Sequence, residues 1–79
     1  MKLKIIPNGN LKDYFSEQFL EVPEGCNSIL LKEILKEKFP ESNQTLSHTL
    51  FAKNSFVLTE SETLSQNDTI YLIPPVSGG

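Results

Sequence analysis

From Lys2 to Ile5 the chain alternates charged and apolar residues, Lys2 and Lys4 against Leu3 and Ile5, the period-2 pattern of a half-buried strand. Gln18-Phe19-Leu20-Glu21-Val22 repeats it, with Leu20 and Val22 on one face. Between them Pro7-Asn8-Gly9-Asn10 carries turn residues, and Leu11 to Phe15 predicts a longer connection with a helical turn, so the two strands are antiparallel. After Pro23-Glu24-Gly25 the period becomes helical. Leu31, Ile34, Leu35 and Phe39 line one side, while Lys32, Glu33, Lys36 and Glu37 occupy the other. Asn27 or Ser28 caps the start of this helix and Pro40 ends it.

The second half predicts a loop and then strands. Glu41 to Ser47 is polar and suggests a loop, after which Thr49–Lys53 and Phe56–Thr59 flank Asn54-Ser55 as a hairpin. Phe56 and Val57 are adjacent, so a strand cannot bury both on the same side. A domain this small needs its aromatic residues inside, which assigns Phe51, Phe56 and Val57 individually to the core and leaves one of them for a partner interface. Ile70-Tyr71-Leu72-Ile73 is apolar throughout, as a strand covered on both faces and placed mid-sheet would be. Two strands, a helix and three strands describe an α+β fold in which a small mixed sheet packs on one main helix, the β-grasp arrangement. The β-grasp domain spans 1–73, and 74–79 form an extended tail.

Composition narrows the function. A chain of 79 residues holds one modest core. With a net charge of −3 and only scattered lysines for basic residues, it offers no stripe for a nucleic-acid backbone or an anionic membrane. Met1 to Ile6 lacks the apolar run of a signal peptide, and the single Cys26 has no internal disulfide partner, which points to a reducing, cytoplasmic setting. A lone cysteine ahead of a helix is an inert, partly buried side chain far more often than a reactive thiol. His48 has no cysteine or carboxylate cluster at ligand spacing, so no metal site is expected.

The chemistry is expected at the end of the chain, Pro74-Pro75-Val76-Ser77-Gly78-Gly79. Two glycines without Cβ atoms can thread a channel too narrow for a side chain. The two prolines stop the preceding strand and stiffen the exit, giving a reach of roughly 20 Å at about 3.3 Å per residue. A terminal carboxylate on Gly79 is ionised and has a poor leaving group, so it reacts as an acyl donor only after activation.

The stretch from Asn67-Asp68 through Ile70-Tyr71-Leu72-Ile73 to Pro74-Pro75-Val76-Ser77-Gly78-Gly79 resembles the close of the small subunit of molybdopterin synthase, a ubiquitin-like sulfur-carrier family. The resemblance is specific in the tail, while chain length and element order match throughout. The first strand departs from the family pattern: Ile5-Ile6-Pro7-Asn8 stands where an aromatic-Phe-Ala run is usual.

The resemblance implies that an adenylyltransferase of the ubiquitin-activating type uses ATP to adenylate Gly79, and that a sulfur donor protein displaces AMP to leave a thiocarboxylate. The tail of Pro74, Pro75, Val76, Ser77 and Gly78 then enters the large synthase subunit, where the sulfur attacks cyclic pyranopterin monophosphate. By the same resemblance the chain binds no cofactor and forms a heterotetramer of two small and two large subunits; Phe51 and Ile73 are the residues expected at the partner interface. The thiamin-thiazole sulfur carriers, ubiquitin-like protein modifiers and β-grasp interaction modules are the alternatives, although the apolar tail and the absence of arginine argue against a modifier.

Overall fold

An alternating segment near the start of the chain and an apolar one near its end build the centre of one sheet. In the computed structural model, which describes residues 1–60 and 62–75, strands β1 (Lys2–Pro7), β2 (Gln18–Glu21), β3 (Leu50–Lys53), β4 (Phe56–Val57) and β5 (Thr69–Ile73) stand in the order β2-β1-β5-β3-β4. The first hairpin is antiparallel, with Leu3 opposite Leu20. β5 lies parallel to β1, Ile5 opposite Ile70, and antiparallel to β3, Phe51 opposite Leu72. This is the ubiquitin-like β-grasp, and the last strand is central as its composition predicts.

One face of the sheet carries Leu3, Ile5, Leu20, Ile70, Leu72 and Phe51 into the core, where Leu31 and Leu35 of helix α1 (Ser28–Lys38) meet them. Asn27 caps α1: its side-chain oxygen accepts the Leu30 N–H at 2.9 Å, and Ser28 is the first helical residue. Phe39, just past the helix, stacks on Phe15 with ring centroids 4.3 Å apart. Phe15 follows a 3₁₀ turn at Gly9–Asp13, the helical turn expected between β1 and β2.

Three expectations are corrected. Glu41 to Ser47 is not a loop: a 3₁₀ turn at Pro40–Ser42 runs into a short helix α2 (Asn43–Ser47), closed over the core by Leu46. A helix of five residues shows too little periodicity to stand out from a polar sequence, and here burial of one leucine secures it. Phe56, at 74% exposure, and Val57 both lie outside the core, because β4 is a two-residue edge strand with no layer packed against it. Finally, β5 is covered on one face only: Ile70 and Leu72 are buried, whereas Tyr71 and Ile73 are exposed.

The hairpin turn forms where the sequence places it, with both Asn54 (φ 53°) and Ser55 (φ 71°) in the left-handed region. A two-residue loop of this kind favours glycine at its second position. Ser55→Gly is therefore expected to stabilise the fold by about 1 kcal/mol, a rise of roughly 4–8 °C in melting temperature by calorimetry.

Candidate functional site

The root of the tail is fastened on both sides. Leu50 of β3 pairs with Ile73, and on the opposite side Asn8 reaches across from the end of β1. The Asn8 N–H donates to the Leu72 carbonyl at 3.1 Å, and its side-chain Nδ2 donates to the same oxygen at 3.2 Å. Two residues on, Pro74 has no N–H with which to continue the ladder. Its half-buried ring rests beside Gly9, and Pro75 is exposed. The predicted tail residues Val76, Ser77, Gly78 and Gly79 lie outside the described residues.

Beside this root the outer face of the sheet is apolar. Ile6, Tyr71, Ala52 and Val57 form one row across β1, β5, β3 and β4, each paired with the next. Ile73 and Leu50 form a second pair nearer the tail, at 41% and 53% exposure. Phe19 extends the face over β2, where the ammonium groups of Lys2 and Lys4 lie 5.4 and 6.0 Å from its ring centre. Exposed apolar side chains grouped in this way are the material of interaction surfaces. The two residues suggested for a partner interface are thus on opposite sides of the sheet: Ile73 lies on the open face, while Phe51 is 5% exposed and belongs to the core cluster.

Sequence reading missed Tyr71, Leu50 and Val57 as surface, and Asn8 and Gly9 as neighbours of the tail. The signal for the face was present in the continuous apolar run of β5, which fits one face in a core and the other against a partner as well as it fits burial on both.

The remaining chemically capable groups lie on elements other than β5. Cys26 is fully buried, its Sγ donating to the Asn27 carbonyl at 3.4 Å. Burial pushes its thiol pKa up, against a smaller lowering by the N-terminal ammonium. His48 is exposed at the end of α2. Among the described residues no three His, Cys, Asp or Glu side chains gather at metal-binding distance, and no helix is long and apolar enough to cross a membrane. A groove of about 450 Å³ between α1 and the β3–β4 hairpin is lined by Ile29, Lys32, Phe51, Val57 and Leu58 among others, none of them from β5.

Comparison with known proteins follows the same lines. The model of the ThiS family matches residues 5–79. No curated protein matches significantly. Among solved structures, a Pyrococcus furiosus protein assigned as molybdopterin converting factor subunit 1 is similar at 21% identity and a TM-score of 0.83, over 95% of this chain and 98% of that one. SAMP1 from Haloferax volcanii is similar at 17% identity and 0.83, with both chains fully covered. A complex of subunits 1 and 2 of molybdopterin-converting factor from Helicobacter pylori contains a chain similar at 26% identity and 0.75, again with both chains fully covered.

The raised thiol pKa of Cys26 has a definite sign. A proton held more tightly in the folded state leaves stability intact below the unfolded thiol's pKa of about 8.5 and erodes it as pH rises from there toward the folded value. Denaturant titrations between about pH 7 and 10 are expected to show a decline that is shallower in Cys26→Ala, with native Cys26 resisting alkylation until unfolding.

Proposed function

This chain belongs to the ThiS family of ubiquitin-like sulfur carriers, and on that premise we propose that it carries sulfur as a thiocarboxylate on Gly79 and donates it as the small subunit of a molybdopterin synthase. The observation that carries the reading is a Pro-Pro-Val-Ser-Gly-Gly ending launched from the central strand of the sheet, directly beside an open apolar face. Likeness to the subunit 1 chain of the Helicobacter pylori molybdopterin-converting factor complex favours the molybdopterin branch, and a large subunit as the partner of that face.

The chemistry needs two activations from outside the chain. An adenylyltransferase of the ubiquitin-activating type joins the Gly79 carboxylate to the α-phosphate of ATP and releases pyrophosphate. Hydrosulfide sulfur, delivered by a donor protein, then bonds to the carbonyl carbon as the carbon–oxygen bond to phosphate breaks and AMP leaves. The thiocarboxylate that results is a softer nucleophile than the carboxylate. Its sulfur bonds to a side-chain carbon of cyclic pyranopterin monophosphate as one of that carbon's bonds to oxygen breaks and the displaced oxygen takes up a proton. Water then cleaves the acyl–sulfur bond, which returns the carboxylate and leaves the sulfur on the pterin.

This chain's own residues supply position. Leu72 and Ile73 anchor the tail, Pro74 and Pro75 stiffen its exit, and Tyr71, Ile73, Leu50 and Val57 offer the docking face. Docking energy from the sheet holds the tail at its target, turning an encounter in solution into a reaction between fixed groups.

Intact-mass spectrometry after incubation with an activating enzyme, ATP and sulfide tests the proposal. Exchange of one oxygen for sulfur, mapped to Gly79, is expected. Lysine conjugates in place of the sulfur shift would assign a protein modifier, and no reaction with an enzyme that loads a known carrier would remove the reading. Deleting Gly79 is expected to abolish loading with the melting temperature unchanged, since a chain terminus contributes few contacts. Leu50→Lys is expected to weaken binding to the large subunit roughly thirtyfold by calorimetry, as for a disrupted interface anchor, while costing the isolated fold no more than about 0.5 kcal/mol.

A further inference from the structure

The segment Ile5-Ile6-Pro7-Asn8, which closes β1, leads directly into the contact at the root of the tail. We propose that the Asn8-Gly9 turn is a positioning element: it seats the Pro74 ring and so sets the direction in which the chain leaves β5. Its consequence for loading rests on the carrier reading; its consequence for geometry does not.

Three observations carry the proposal. First, the Leu72 carbonyl receives two donors from one residue, the N–H and Nδ2 of Asn8, and the same Nδ2 lies 3.5 Å from the Ile6 carbonyl. The turn therefore cannot slide along β5 without losing both bonds to Leu72. Second, Gly9 has φ +54°, a conformation that side chains other than Asn and Asp rarely accept. Third, a Cβ at Gly9 would lie 3.0 Å from Pro74 Cγ and 3.7 Å from Cδ. A side chain at Gly9 would thus press the proline ring aside by a few tenths of an ångström. Because proline fixes φ at both 74 and 75, only ψ at these positions is left to absorb a displacement of the first ring. A catalytic site that receives the terminal carboxylate is sensitive to such shifts, since a misplacement of about 1 Å costs up to roughly a hundredfold in rate.

Steady-state loading by the activating enzyme, read by intact mass, tests this in a double-mutant cycle. Gly9→Ala is expected to lower kcat for loading about tenfold with KM little changed, because the docking face is untouched. Gly9→Asn, which tolerates the left-handed conformation, should give the same loss with less destabilisation. Pro74→Ala removes Cγ and Cδ, so adding Gly9→Ala to it should cost nothing further. Backbone strain alone would instead lower activity by the same factor in both backgrounds, and that result, or an unchanged kcat in Gly9→Ala, would overturn the proposal.

If the native chain is not loaded at all, the carrier reading fails and geometry decides. Residual dipolar coupling of the Val76 N–H is then expected to change in Gly9→Ala and not when Pro74→Ala is already present. Couplings unaffected by Gly9→Ala would remove the positioning role as well.

Discussion

The parallel pairing of β1 with β5 joins residues from the two ends of the sequence, and the other strands are arranged around it. The bonds at its end span 64 positions, and closing a loop of that length costs about 4 kcal/mol in chain entropy. Burying Leu3, Ile5, Ile70 and Leu72 along the pair offsets this at about 1.5–3 kcal/mol for each side chain. Burial wins, and the arrangement places β5 between β1 and β3, the position in this sheet least able to fray. A tail rooted there begins from a fixed point.

Much of this was written in the pattern of residues. Lys2 to Ile5 and Gln18 to Val22 give strands because their side chains alternate, and Leu31, Ile34 and Leu35 give a helix because they share a face that the core covers. Asn27 caps and Asn54-Ser55 turns for local reasons that need no knowledge of the fold. The family was legible in the run from Pro74 to Gly79 for a different reason: its residue types follow neither the strand period nor the helix period.

What the pattern hid were contacts and faces that depend on distant residues. Asn8 looks like turn chemistry, and nothing near it in sequence indicates that it grips Leu72 or that Gly9 makes room for Pro74. The assignment of Phe56 and Val57 to the core followed from the smallness of the domain, but an edge strand of two residues has nothing to bury them against. The open face of β5 was concealed by the strength of its own signal. Tyr71 and Ile73 are apolar like their buried neighbours, and the water-facing side of a lone subunit is spelled in the same letters as an interior.

The position of β5 also governs when the fold can exist. The strand that completes the core is the last described strand of the chain, so a nascent polypeptide holds β1 unpaired on that side until Thr69–Ile73 has left the ribosome. β1 to β4 and both helices are therefore synthesised before the core can close. A message cut short before this point yields a chain missing its central strand, which proteases can clear before it meets any enzyme that handles the intact protein. The strand that closes the core is thus also the one from which Pro74 departs.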